Sequence, residues 1–150
     1  MSNLIGDETI VEKKGDGKGT DAPASVVERY FDAWNCLDTE DAVSLFSEDC
    51  AMRDLQYDDA FAGREEFERH LLRVKDCLPS TFDFVMDDIA ASSGKVGVAW
   101  HMENEGDPLS FTRGCSFYTL DKRNGLIASD FKIPEKAPPK MGYLNTLRSK

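Results

Sequence analysis

Between Ser25 and Leu78 the apolar positions recur at helical spacing, and after Pro79 the period drops to two. Val26, Val27, Tyr30, Phe31 and Trp34 form one helical stripe. Ser25 with Glu28 offers a capping box at its start, and Asp21 ahead of Pro23 is the rival start signal. Asp38 or Thr39 caps a second, short helix carrying Val43, Leu45 and Phe46. After Gly63, Phe67, Leu71, Val74 and Leu78 repeat along a third helix that Pro79 closes.

Thr81–Ala90, Lys95–Asn104, Leu109–Leu120 and Leu126–Ile133 then read as strands. Ser-Ser-Gly, Glu-Gly-Asp-Pro and Lys-Arg-Asn-Gly separate them, so they predict an antiparallel meander joined by tight turns. A shorter strand over Ala51–Leu55 sits between the second and third helices. Helices first and strands later predict an α+β fold, with three N-terminal helices packed on a curved antiparallel sheet.

Both faces of the long strands carry bulk. Val96, Val98, Trp100 and Met102 share one face of Lys95–Glu103, and Gly97, Ala99, His101 and Glu103 share the other. One face must meet the helices; the other calls for a second cover, which a second copy of the sheet supplies as a homodimer. The face with Gly97 and Ala99 is expected to leave room for a cavity beside His101.

Residues 1–22, rich in Gly, Lys, Asp and Glu, read as a flexible arm ahead of a domain spanning 23–135. The prolines of IPEKAPPK lead the chain out of the sheet, and residues 136–150 form a Pro-rich tail. The 150 residues suit one domain. A net charge of −10 repels phosphate backbones and anionic lipid, so nucleic acid and membrane surfaces are not expected partners. No apolar run approaches the roughly 20 residues of a membrane span. The absence of a secretory pattern predicts cytoplasm, or plastid if a transit peptide has been removed.

The four cysteines make no C-x-x-C pair and read as reduced thiols. With His70 and His101 far apart and no metal-ligand spacing, no metal is expected, and no glycine-rich phosphate loop follows a strand, so no cofactor is expected.

Among the remaining chemistry-bearing residues, His101 lies mid-strand, where a half-buried imidazole can move a proton near neutral pH. Its plain alternative is a core histidine bonded to a neighbouring carboxylate or carbonyl. Asp130, beside Phe131 in the last strand, is either a carboxyl of raised pKa acting as a base or a partner orienting His101. Asp54 ahead of the Tyr57–Phe61 loop is either an acid–base group or a loop carboxylate accepting backbone N–H groups. Tyr30, Trp34, Tyr57, Phe61, Trp100, Phe111 and Tyr118 divide between core and the lining of an apolar pocket, with Tyr57 or Tyr118 a donor to a ligand oxygen.

The ordered set VVERYFDAW, DAVSLFSEDC, FAGREEFERHL, VGVAWHME and GLIASD resembles the nuclear transport factor 2-like superfamily, in particular its SnoaL-like, polyketide cyclase-like branch. LSFTRGCSFYTL together with VAWHME is similar to plant and algal members, many of them plastid proteins. The resemblance implies a cone-shaped, cystatin-like α+β barrel. It also implies a polar dyad or triad deep in the cone wherever a member is an enzyme. Two functions follow: a small apolar ligand handled by isomerase, cyclase or dehydratase chemistry, or a non-catalytic interaction module whose cone is filled by side chains.

Overall fold

The computed structural model describes residues 23–136. The expected arm over 1–22 and nearly all of the expected tail lie outside the described residues. Helices α1 (Pro23–Asn35), α2 (Thr39–Ser44) and α3 (Arg64–Cys77) and strands β1 (Phe46–Asp54), β2 (Phe61–Ala62), β3 (Phe82–Ser92), β4 (Lys95–Asn104), β5 (Asp107–Pro108), β6 (Gly114–Leu120) and β7 (Ile127–Pro134) follow one another along the chain.

Helix α1 opens on Pro23, whose fixed φ and missing N–H suit a first helical position, so Ser25 falls inside the first turn instead of capping it. Asp38 caps α2 by accepting from the Asp41 backbone N–H at 3.0 Å. Gly63 precedes α3 with φ 85, a conformation that glycine adopts without strain.

The sheet runs β2-β1-β7-β6-β4-β3, with β5 paired to β4. The meander β3-β4-β6-β7 is antiparallel as its turns predict. Strand β1 is longer than the sequence pattern suggests and lies parallel to β7. The expected barrel is therefore a curved sheet whose edges, β2 and β3, do not meet.

The concave face holds the core: Val27, Tyr30, Phe31 and Trp34 of α1 and Phe67 and Leu71 of α3 pack against Val96, Val98, Trp100 and Tyr118. Asn35 hooks α1 to β3, donating to the Phe84 carbonyl at 2.9 Å and accepting from the Phe84 N–H at 2.8 Å. The convex face carries Phe117, Phe131 and Ile133 exposed. No helix among the described residues is long and apolar enough to cross a membrane.

Candidate functional site

Strand register places polar groups in two rows across the concave face. One row reads Met52, Asp130, Tyr118, Val96 and the next Asp54, Lys132, Ser116, Val98. Because alternate residues of a strand share a face, Asp130 and Lys132 both point inward from β7. Lys132 Nζ lies 3.4 Å from Asp130 Oδ2 and donates to the Tyr30 hydroxyl at 3.4 Å. The Asp130 side chain is wholly enclosed, and neither of its oxygens has a hydrogen bond among the described residues; nor does the buried Tyr118 hydroxyl.

That enclosure sets the electrostatics. Burial pushes Asp130 up to about 6 against the opposing pull of Lys132. Burial alone would lower the Lys132 ammonium, but Asp130, the two tyrosines and Asp54 hold it well above the usual lysine range. Burial also raises Tyr30 and Tyr118, so both phenols remain protonated donors. The cluster thus holds one ammonium and two neutral hydroxyls, with a buried carboxyl behind them.

Above this cluster opens a cavity of about 170 Å³. Its wall includes Tyr30, Trp34, Trp100, Tyr118, Leu71 and Val74, and its polar rim includes Asp54, His70, Lys132 and Glu135. Glu135 is occupied by Arg113, 2.9 Å away. Trp100 donates its indole N–H to Ser116 at 2.9 Å, and its ring lies over Gly114, where a Cβ would stand 2.5 Å from the indole. Phe111, held at φ 61 and largely exposed, flanks the mouth with Tyr57. Thr112 pins the Phe111 turn by donating to the Leu109 carbonyl at 2.8 Å.

Of the residues singled out from the sequence, Tyr30, Trp34, Tyr57, Trp100, Phe111, Tyr118 and Asp54 line the cavity. One Asp54 oxygen accepts from the Gln56 N–H at 2.9 Å, the loop-structuring bond expected of it, which leaves its other oxygen to the cavity. Asp130 sits just behind the wall. Phe61 stands behind it too, its ring stacked on His70 at 4.2 Å.

His101 is elsewhere. Strand parity turns Trp100 and Met102 inward, so His101 faces outward with Gly97 and Ala99. The room on that face is a shallow groove along Gly97, Ala99, Cys115 and Phe117 that does not include His101, and Phe117 lies 3.5 Å from where a Gly97 Cβ would be. His101 Nδ1 meets Asp87 at 2.8 Å and Nε2 meets Glu103 at 2.9 Å. Hydrogen bonds to Asp87 first, then Glu103, raise its pKa. Asp130 and His101 therefore lie on opposite faces of the sheet, and the expected pairing between them does not form.

Three titratable cavity groups, Lys132, His70 and Glu135, escaped the sequence reading. Lys132 was legible as the inward neighbour of Asp130 at a spacing of two, and His70 as a titratable residue in the stripe with Phe67, Leu71 and Val74.

The SnoaL-like domain model matches residues 27–129. The chain belongs to the SnoaL-like domain family. Among curated proteins none matches its sequence significantly. Solved structures similar to this SnoaL-like chain include a proposed polyketide cyclase from Sinorhizobium meliloti, 20% identical, with a TM-score of 0.59 over 72% of this chain and 93% of that one. A proposed ketosteroid isomerase from Kribbella flavida is 20% identical, with a TM-score of 0.58 over 78% and 82%. A protein of unknown function with a cystatin-like fold from Methylobium petroleophilum is 17% identical, with a TM-score of 0.64 over 79% and 78%. At these identities the likeness to the SnoaL-like chain is one of fold.

Proposed function

We propose that the chain binds a small apolar carbonyl compound in its cone and acts on it by general acid–base chemistry, as an isomerase, cyclase or dehydratase. The observation that carries this reading is the enclosed Asp130–Lys132 pair with Tyr30 at the base of an otherwise aromatic cavity. A buried carboxylate without hydrogen bonds opposes folding, and such groups gather where chemistry needs them. Lys132 and the Tyr30 hydroxyl are donors for a substrate oxygen on which negative charge develops. Asp130 acts through Lys132, keeping the ammonium charged. Asp54 lines the same cavity, one of its oxygens held by the Gln56 N–H.

The cavity also favours this reading over a cone filled by side chains. A cavity of roughly 150 Å³ lined by aliphatic and aromatic groups holds benzene, so the volume here suits a single ring or an equal bulk. The exposed Phe117, Phe131 and Ile133 support a homodimer through the convex face as part of the same proposal. Residence in cytoplasm or plastid is part of the same proposal and is testable by cell fractionation.

A thermal-shift series with isoprenoid, polyketide-like and aromatic carbonyl compounds tests the reading, because ligands that bind only the native state raise Tm. Binding that Val74→Phe abolishes supports the cone as the site. Binding that survives this filling of the cavity contradicts it.

A further inference from the structure

We infer that His70 is the residue that takes and returns the proton of the bound carbonyl compound. The inference rests on the reading of the cone as an acid–base site and goes beyond it by naming the proton carrier.

His70 is carried by α3 and lines the cavity beside Leu71 and Val74. Its ring is fixed on two sides: it stacks on Phe61 at 4.2 Å with 27° between the planes, and Tyr57 meets it edge-on at 5.0 Å and 86°. Neither ring nitrogen has a hydrogen-bond partner among the described residues. An imidazole oriented by two rings on the lining of the cavity, with no hydrogen bond to either nitrogen among the described residues, is left able to exchange a proton. His101 is the reverse case, with a carboxylate on each nitrogen.

The charged groups acting on His70 agree with this role. Burial first, then Lys132 and Arg73, hold its pKa below the ordinary histidine value, and Asp54 opposes them. The imidazole is therefore neutral at physiological pH and able to accept a proton. Lys132, across the same cavity, stays an ammonium. A base and a fixed cation lining one cavity are the two ends that an enolisation requires.

The step balances without an oxidant or a co-reactant. A ring nitrogen of His70 forms a bond to the hydrogen on the carbon next to the carbonyl. The electron pair of the broken C–H bond moves into a carbon–carbon double bond, and the carbonyl pair moves onto oxygen. Lys132 and Tyr30 donate to that oxygen. The imidazolium then returns a proton to the same carbon or to a conjugated one, the second outcome being isomerisation.

Cyclohexanone, comparable in bulk to benzene, is the probe, and exchange of its α-protons in D2O is followed by NMR at several pH values. The full-length wild type should accelerate exchange, and His70→Gln should lose at least about 100-fold of that acceleration. The rate should fall with acidification along the His70 titration, read from the imidazole signals of the chain's two histidines. His101→Gln assigns those signals and should leave the rate unchanged. Tryptophan signals report binding in parallel. Probe binding with equal exchange by wild type and His70→Gln overturns the inference alone. If no probe binds, both the inference and the reading beneath it fall.

Discussion

Lys132 reaches back along its own strand to within 3.4 Å of Asp130, the one carboxylate among the described residues that is sealed from solvent. Their spacing of two puts both on the same face of β7, and the pair meets Tyr30 where α1 crosses the sheet. The stability of the fold and the chemistry of the cavity pull in opposite directions on this pair.

The first prediction follows from the sign of the Asp130 shift. Its folded pKa of about 6 lies above the unfolded value, so the native state binds the proton more tightly. The stability contributed is fully present below about pH 4 and lost as pH rises to about 6. Asp130→Asn should therefore be more stable than wild type at pH 7.5, by at most about 3 kcal/mol, and nearly equal at pH 4. Denaturant titration at the two pH values checks this. A variant that is weaker at pH 7.5 than at pH 4, relative to wild type, would show that Lys132 outweighs burial.

Lys132→Met should move the Asp130 titration further upward, because it removes the leading influence that lowers it. Carboxyl carbon NMR reads this directly. An unmoved titration would mean that the two side chains are not coupled in solution.

For His101 the sign runs the same way and the magnitude is smaller. Its raised pKa contributes stability below about pH 6.5 that fades as pH climbs through the folded value. Its partner Asp87 is 45% exposed, so solvent weakens the pair. His101→Gln should cost no more than about 1 kcal/mol at pH 6, less at pH 9, and leave ligand binding intact. Loss of binding without loss of stability would return His101 to the site.

Gly114→Ala should cost about 1–3 kcal/mol, since its Cβ would overlap the Trp100 ring and push the indole off Ser116. Thermal melting and the Trp100 indole N–H signal should change together. A shift in neither would mean that the indole does not occupy that space.

The homodimer proposal makes a separate prediction. Phe117 is 54% exposed and pairs across the sheet with Phe131, so Phe117→Glu should give a monomer at concentrations where wild type sediments as a dimer. Monomeric wild type at tens of micromolar would contradict the proposal.

The helices and the meander were legible because their apolar periods are long and their turns carry Gly, Pro and Asn. The parallel pairing of β1 with β7 was not, because strands far apart in sequence announce no partner. The inward face of β4 was ambiguous for a related reason. Val96, Val98 and Trp100 alternate with Gly97, Ala99 and His101, and both sets suit a covered surface. Only the register to β6, which places Trp100 over Gly114 and Val98 against Ser116, decides which set meets the helices. His101 went with its face to the outer side, while Asp54, read from its place ahead of the Tyr57–Phe61 loop, lies on the cavity lining and Asp130, read beside Phe131, lies behind it. Lys132 and His70 gain their meaning from neighbours on other elements.

The central claim, that the cone takes up a small apolar carbonyl compound, has a direct reporter. The chain has two tryptophans, Trp34 and Trp100, and both line the cavity. In a 15N–1H spectrum, titration with cyclohexanone should move both indole N–H signals along one saturating curve, while convex-face backbone signals such as that of Ala99 stay in place. Movement of convex-face signals with unmoved indoles would contradict the account.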